Sequence, residues 1–153
     1  MIREAVREDL EEVYRLICEL EQTQVDREGF TRVYLQQMED TRYTIFLYIE
    51  ENKVLGMLNL RIEGQLHHAG AVAEIIELSV YDGYRSKGIG RQLFEAACVK
   101  ARERDCVRME VTSNQLRIRA HQFYERQGMK NFHYKLSMRL DGTTADVNEI
   151  GRA

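Results

Sequence analysis

The spacing of hydrophobic residues predicts helices and strands along most of the chain. Four segments carry apolar residues every three or four positions, which is typical of a helix with one buried face: 7–21, 30–38, 88–104 and 116–127. Six segments are rich in β-forming residues or alternate apolar with polar residues, which indicates strands: 2–5, 44–50, 54–63, 71–81, 107–112 and 132–140.

The order of these segments predicts a mixed α/β fold. A tight turn at 51–53 joins two strands as a hairpin, whereas helix 88–104 lies between two strands as a crossover connection. Strand 71–81 is almost continuously apolar, so we expect it in the interior of the sheet. We expect a single domain over 1–140, followed by a polar tail over 141–153.

Composition and charge exclude some classes of function. The chain has 153 residues, of which 44% are hydrophobic, and its net charge of −3 argues against nucleic acid as the main partner. Cys18, Cys98 and Cys106 show neither disulfide nor zinc spacing, which favours free thiols in a reducing compartment. The charged N-terminus and the absence of a long apolar run predict neither a signal peptide nor a membrane span, and hence a cytoplasmic protein.

The segment YRSKGIGRQLF, at 84–94, places two glycines at the start of a predicted helix. Helix N-termini carry backbone N–H groups without partners, and these groups bind anions such as phosphate. Arg85, Lys87 and Arg91 add positive charge, and a glycine lets a pyrophosphate approach the amides closely. Neither a P-loop nor a dinucleotide fingerprint fits, so the residues alone leave open a glycine turn without a ligand.

Two motifs together resemble those of the GNAT superfamily of N-acetyltransferases. The first is R-x-x-G-x-G, formed by Arg85, Gly88 and Gly90 after the strand residues ELSV. The second is SNQLRIRAHQFYERQGM, at 113–129, with Asn at a strand end and then Ala-His-x-Phe-Tyr-x-x-x-Gly. The resemblance implies an acyl-CoA N-acyltransferase fold, in which a central mixed sheet of about six or seven strands is flanked by about four helices.

The resemblance also implies acetyl-CoA as cosubstrate and a set of residues that bind it. The backbone of 78–80 would pair with the pantetheine arm, 85–91 would surround the pyrophosphate, and Asn114 would contact the cosubstrate from a neighbouring strand. The implied cosubstrate-binding residues are Leu78, Ser79, Val80, Arg85, Ser86, Lys87, Gly88, Ile89, Gly90, Arg91 and Asn114. None of the cysteines occupies a motif position, so we expect direct transfer rather than an acetyl-cysteine intermediate.

Two residues occupy the positions of the family's reacting groups. Tyr124 would protonate the leaving thiolate, since a phenol is protonated at neutral pH; the alternative is an aromatic residue packed beside Phe123. Glu77 would accept the proton of the amine, directly or through water, and the alternative bases are Glu74 and water itself. Residues an odd number of positions apart on a strand face opposite sides, so we expect one of the two acids at the acceptor unless a bulge intervenes.

Three stretches resemble the aminoalkylphosphonate N-acetyltransferases within that superfamily: 13–26, 65–78 and 119–128. Arg61, Arg117 and Arg119 are candidate cationic partners for a phosphonate. Adjacent His67 and His68 point to opposite faces of a strand, so hydrogen-bonded edge residues are favoured over a site that uses both for one metal. A divalent metal held by one of them with Glu74, Glu77 or another carboxylate stays open, but no metal ligand is predicted.

Several alternatives stay open at this point. The acceptor amine could instead be a polyamine, an amino acid, an antibiotic or a protein N-terminus. A non-catalytic acyl-CoA sensor would keep the glycine motif without needing Glu77 or Tyr124, and a purely interacting domain leaves the second motif unexplained. We expect no nucleic-acid or membrane partner, and a possible homodimer through strand 132–140.

Overall fold

Five strands form one mixed sheet in the computed structural model, which describes residues 1–143. The spatial order follows the chain: β1 (Ile2–Glu4), β2 (Tyr43–Glu50), β3 (Lys53–Gln65), β4 (Gly70–Val80) and β5 (Arg108–Val111). β1 to β4 pair antiparallel, and β5 pairs parallel with β4. The four α-helices are α1 (Leu10–Glu21), α2 (Arg27–Met38), α3 (Ile89–Glu103) and α4 (Ile118–Arg126). The mixed α/β prediction is therefore confirmed.

The chain divides into two compact units, Met1–Val111 and Thr112–Ala153. In the first unit, α1 and α2 pack on one face of the sheet around a cluster of buried side chains: Val13, Leu16, Tyr34, Ile45, Leu47 and Met57. α3 packs on the other face. There a Cβ added at Gly56, next to Met57, would lie only 3.2 Å from the Ile89 side chain. Alternation along β3 thus separates the two layers.

An ion pair joins β1 to the start of α1. Both guanidinium Nη atoms of Arg3 donate to the carboxylate of buried Asp9, at 2.7 and 2.9 Å. The backbone N–H of Val6 donates to the same carboxylate at 2.8 Å. Hydrogen bonding to Arg3 outweighs the effect of burial and lowers the pKa of Asp9 below its ordinary value.

The helices and strands of the first unit match the sequence prediction to within three residues at each end, as far as α3 and β5. At the predicted hairpin turn, Glu51 and Asn52 both adopt positive φ, of 50° and 63°, which suits the right-handed twist of the flanking strands. β4 lies between β3 and β5, as its apolar composition indicated.

The second unit contains α4, which ends shortly before Gly128 at φ 98°. The prediction of a strand at 132–140 is wrong, because these residues form no strand in the structure. Its alternating apolar side chains are exposed: Phe132, Tyr134, Leu136, Met138 and Leu140. Alternation makes a segment suitable for a sheet, but a strand exists only where a second strand pairs with it. Over 1–143 the sheet consequently has five strands rather than six or seven.

The sequence also led to predictions about the cysteines, membrane-spanning helices and a polar tail. The three cysteines are free thiols, and each is partly buried. Within residues 1–143, no helix is both long enough and apolar enough to cross a bilayer. The predicted polar tail extends beyond 143, and its remaining residues lie outside the described part of the chain.

Candidate active site

The two glycines of the 84–94 segment stand at the N-terminus of α3. Gly88 is the N-cap residue with φ 84°, and Gly90 lies in the first turn of the helix. Ser86 also has positive φ, at 64°, so the chain turns sharply twice before the helix begins. No side chain of residues 1–143 caps this terminus, so its first amides are available to an external acceptor. A Cβ at Gly88 would meet no atom of the described residues within 4 Å, so the left-handed backbone, rather than lack of space, requires glycine there.

The cationic side chains of this turn already have protein partners. Arg85 Nε donates to the carbonyl oxygen of Val80 at 2.9 Å, and its two Nη atoms lie 3.3 Å from Asp82 and 3.6 Å from Glu19. Arg85 therefore ties the turn to the end of β4. A cavity of about 560 Å³ opens beside it, toward the last turn of α1 and the α1–α2 connection.

The other members of the turn contribute charge or packing. Lys87 Nζ lies 5.4 Å from the centre of the Tyr84 ring, and Arg91 forms an exposed ion pair with Glu95 at 3.2 Å. Ile89 is 4% exposed and packs against the sheet, so only its backbone is available to a ligand. The predicted pyrophosphate site thus consists of a turn with open amides and a positive rim.

β4 is paired on both sides along only part of its length. Its residues Val72–Ile75 form the parallel ladder with β5, whereas Glu77–Val80 pair with β3 alone among residues 1–143. The backbone on that side of Leu78, Ser79 and Val80 therefore has the open edge that an extended ligand could join. The Ser79 hydroxyl, in contrast, is buried and donates to the Leu16 carbonyl at 2.8 Å.

A β-bulge decides which way Glu77 points. Leu60 pairs with Ile75, but its neighbour Asn59 pairs with Glu77, so Ile76 is an extra residue in β4. Because Arg61 pairs with Glu74, the two acids face the same side of the sheet, together with Asn59 and Arg61. The expectation that Glu74 and Glu77 face opposite sides of the sheet is therefore wrong, because β4 contains the bulge that breaks its regular alternation.

Glu77 lies beneath α1 and α2, in a partly buried position. Its Oε1 accepts a hydrogen bond of 2.8 Å from Asn59 Nδ2, which also donates to Gln37 Oε1 of α2 at 2.9 Å. Burial raises the pKa of Glu77 above its ordinary value, the hydrogen bond from Asn59 opposes this, and the negative charge of Glu21 reinforces it. A carboxylate with a raised pKa in such a position can act as a general base.

A row of charged residues continues from Glu77 along the same face. Arg61 Nη2 lies 2.5 Å from Glu74 Oε2, and Arg61 Nε lies 3.3 Å from Glu63. On the far side of β4, Glu110 pairs in register with Glu74 and forms an ion pair with Arg108 at 3.2 Å. Of the three arginines predicted as acceptor partners, Arg61 lies on the Glu77 face of the sheet. Arg117 and Arg119 belong to the second unit.

His67 and His68 lie in a 3-10 turn, Leu66–His68, and not in a regular strand. Their ring centres are 4.1 Å apart, and His68 Nε2 lies 3.9 Å from Glu110 Oε2. Within residues 1–143, no three His, Cys, Asp or Glu side chains are grouped as a metal site would require.

The second unit holds the remaining predicted residues. Asn114 begins the turn before α4: its Oδ1 accepts from the backbone N–H of Leu116 at 2.8 Å, and its carbonyl oxygen lies 2.8 Å from His121 Nε2. Tyr124 lies on α4, with its ring in edge contact with Phe123 at 5.3 Å. Burial raises the pKa of Tyr124 to about 12, so the phenol keeps its proton at neutral pH.

Asn59 and Gln37 are the residues of this site that sequence reasoning missed. The signal for Asn59 is present, since a polar amide stands between two leucines in the apolar run VLGMLNLRIE. At 3% exposure it is one of few buried polar residues in the described chain. Gln37 carries no such signal, because a glutamine on an amphipathic helix is ordinarily solvent-exposed.

Comparison with known proteins agrees with this geometry. Residues 4–129 match the model of the acetyltransferase (GNAT) family. The chain is 34% identical to an aminoalkylphosphonate N-acetyltransferase of Salmonella typhimurium over 139 residues, which are 91% of this chain and 90% of that protein.

Solved structures also share the fold. A transcriptional regulator from Bacillus halodurans superimposes with a TM-score of 0.84 at 25% identity, over 92% of this chain and 99% of the other. An acetyltransferase from Trypanosoma brucei superimposes with a TM-score of 0.77 at 18% identity, over the same shares of the two chains. The family match spans the open edge of β4, the Gly88 turn and α4 alike, and the chain is an N-acetyltransferase that belongs to the GNAT family.

Proposed function

We propose that this enzyme transfers the acetyl group of acetyl-CoA directly to the primary amine of a small aminoalkylphosphonate. The observation that carries the proposal is the Glu77 carboxylate, which is partly buried beside the open edge of β4 with a raised pKa. The name of the Salmonella relative supports the phosphonate as acceptor.

The Gly88 turn and the backbone of β4 fit the cosubstrate that the family uses. Uncapped amides at the start of α3 match a pyrophosphate, and a Cβ at Gly88 would require a strained backbone. The free edge at Leu78, Ser79 and Val80 suits an extended pantetheine arm. Acetyl-CoA supplies the acetyl thioester, and the residues of this chain hold it and move the protons.

Two residues carry the proton transfers in this proposal. An amine is mostly ammonium at neutral pH, so Glu77 accepts a proton before the nitrogen attacks the thioester carbonyl. As the C–S bond breaks, Tyr124 donates its phenolic proton to the departing thiolate, and a pKa of about 12 keeps this phenol protonated beforehand. The second proton of the attacking nitrogen passes through solvent to the phenolate, which restores Tyr124 for the next turnover. The cysteines stay outside this scheme, since none lies on a motif position.

Arg61 is the residue proposed to recognise the phosphonate. It stands two positions from Asn59 on β3 and on the same face, which places it roughly 7 Å further along the strand direction. That separation matches a molecule with an amine at one end and an oxyanion at the other, and a guanidinium fork binds such oxyanions in pairs. Glu63 and Glu74 contact the same guanidinium, so the acceptor must compete with two carboxylates.

The test is CoA-thiol release from acetyl-CoA against a panel of small amines, with and without a divalent metal. The panel contains aminoalkylphosphonates, their carboxylate analogues, polyamines, amino acids and aminoglycosides. We expect selective turnover of aminoalkylphosphonates, and a higher KM for them in Arg61→Gln with a smaller change for a phosphonate-free amine. Selective turnover of another amine would refute the acceptor assignment but not the reaction.

A variant of the turn tests the cosubstrate separately from the acceptor. Gly90→Asp adds bulk and negative charge beside the proposed pyrophosphate position, and we expect it to abolish acetyl-CoA binding in calorimetry. Normal affinity in this variant would refute the assignment of the glycine turn. Tight acetyl-CoA binding by the wild type without turnover of any amine would instead indicate a macromolecular acceptor or a sensor.

A further inference from the structure

We infer that Asn59, held by Gln37, is a positioning residue that orients the Glu77 carboxylate and keeps it ionised for proton abstraction. This inference rests on the proposed role of Glu77 as the base. Asn59 is not a catalytic residue in this scheme, since it contacts the carboxylate and not the reacting atoms.

The geometry leaves one arrangement for the Asn59 amide. Asn59 and Glu77 are direct cross-strand partners, and Nδ2 donates to Gln37 Oε1 and Glu77 Oε1 at 2.9 and 2.8 Å. The two N–H groups of the amide are thus both used. Turning the amide over would set its Oδ1 against an oxygen of the ionised Glu77 carboxylate, which is repulsive whichever way the Gln37 amide is turned. The side chain is therefore locked with its donors toward Glu77.

The other half of the carboxylate is left for chemistry. Asn59 holds Oε1 of Glu77, whereas Oε2 accepts no hydrogen bond from any residue of 1–143. Two constraints, the bulge at Ile76 and the Asn59 contact, therefore aim one oxygen of Glu77 while the second remains available to the amine.

Asn59 lowers the stability of the fold in a way that an apolar residue at this position would not. It is 3% exposed, and its Oδ1 is buried without a hydrogen-bond partner among the described residues. An unsatisfied buried acceptor destabilises a protein, whereas leucine stands on both sides of Asn59 in β3. A leucine here would satisfy packing, so the amide is explained by what it donates to.

The charges around Glu77 explain why a neutral donor is suited to this position. From α1, Glu21 adds negative charge; on β4 and β5, Glu74 and Glu110 lie on the same face; on β3, Arg61 is paired with Glu74. Burial and Glu21 favour the protonated acid, and Asn59 opposes them without adding a full positive charge. A cation in its place would lower the pKa of Glu77 and make it a weaker base, and an apolar residue would let the pKa rise further.

The experiment compares Asn59→Leu with Thr44→Val, a matched loss of one buried polar group on the opposite face of the sheet. Thr44 is 8% exposed and pairs with Leu60, away from Glu77. The Glu77 carboxyl is titrated by carbon NMR, with its signal assigned by its loss in Glu77→Gln. The pH profile of kcat/KM for the acetyl transfer is measured in parallel, and thermal unfolding is followed for each variant.

We expect Asn59→Leu to raise the pKa of Glu77 and to move the acidic limb of the profile to higher pH. At a pH on that limb, kcat/KM should fall about tenfold, the loss expected for one hydrogen bond to a charged group. Thr44→Val should leave both titrations unchanged. Gln37→Leu removes only the support of Asn59, so it should shift the pKa of Glu77 and the acidic limb in the same direction but by less. It replaces Asn59→Leu as the test variant if Asn59→Leu does not fold.

An unchanged NMR titration of Glu77 in Asn59→Leu and Gln37→Leu would overturn the inference. An equal loss of kcat/KM at every pH, together with reduced thermal stability, would also overturn it, because that pattern indicates a structural role. Failure of the proposed function gives a different result: the NMR titration shifts in Asn59→Leu, while the acidic limb persists in Glu77→Gln or no amine is acetylated.

Discussion

The conformation of Gly88 leads to a prediction about one methyl group. Gly88 and Gly83 flank the same turn, and at either position an added Cβ would meet no atom of the part of the chain that the structure describes within 4 Å. Only Gly88 has a left-handed backbone, with φ 84° and ψ 3°. Replacing each glycine by alanine therefore adds the same atoms in equally open surroundings, and differs in the backbone conformation that the alanine must adopt.

The expected difference in the free energy of unfolding follows from an entropic gain that both alanine variants share and a backbone cost that only Gly88→Ala carries. Alanine at a compatible position stabilises a protein by about 0.4–1 kcal/mol, because the unfolded chain loses freedom. At a left-handed position, an L-residue costs about 1–2 kcal/mol. Gly83→Ala should thus unfold at a slightly higher urea concentration than the wild type. Gly88→Ala should have a free energy of unfolding about 1–2 kcal/mol below that of Gly83→Ala, or a Tm lower by roughly 2–8 °C.

The measurement is urea unfolding of both variants, with the slopes compared, and calorimetry of acetyl-CoA binding. A backbone that leaves the left-handed region would also move the first amides of α3, so we expect weaker acetyl-CoA binding in Gly88→Ala and unchanged binding in Gly83→Ala. Equal stability of the two variants would refute the argument that conformation, and not space, demands glycine at 88.

Three further predictions concern titrating groups. Burial raises the pKa of Glu77, so the folded chain holds the Glu77 proton to higher pH than the unfolded chain does, and this contribution to stability is lost as pH rises from about 4.5 through the folded pKa. We therefore expect Glu77→Gln to lose activity but to be at least as stable as the wild type at pH 8. A clear loss of stability at pH 8 would contradict this. Hydrogen bonds from Arg3 lower the pKa of Asp9, so Asp9 stabilises the folded chain above about pH 4, and this contribution disappears as pH falls. Asp9→Asn should therefore lower the free energy of unfolding by about 1–3 kcal/mol at pH 7, and the difference from the wild type should shrink when unfolding is measured in acid. Tyr124→Phe should lower kcat with little change in acetyl-CoA affinity, and the wild type should show no alkaline limb from this phenol below about pH 11; unchanged kcat would remove Tyr124 from the mechanism.

The amino-acid sequence by itself determined the order and type of most elements and the position of the glycine turn. Hydrophobic spacing is a local property, so α1, α3 and the β2–β3 hairpin could be read from it directly. The sequence placed Gly88 at the start of a helix and explained it by close approach of a pyrophosphate, whereas the left-handed backbone that requires glycine there is visible only in the structure. The family motifs added acetyl-CoA and the candidate reacting residues.

Tertiary structure alone decided how the acids are arranged. Spacing on a regular strand placed Glu74 and Glu77 on opposite faces, and the extra residue Ile76 brought them to the same one. A bulge depends on how two strands pair, which one strand's own pattern does not contain. The contact of Gln37 with Asn59 likewise depends on where α2 lies on the sheet.

The segment 132–140 also shows that a local pattern does not determine which segments pair as strands. Its alternation suits a strand, yet it forms none in the structure, because hydrogen bonds between strands require a partner edge as well as a suitable sequence. Local pattern therefore specifies what each segment of this chain can become. Pairing between segments decides which of those possibilities is realised and which oxygen of Glu77 accepts the hydrogen bond from Asn59.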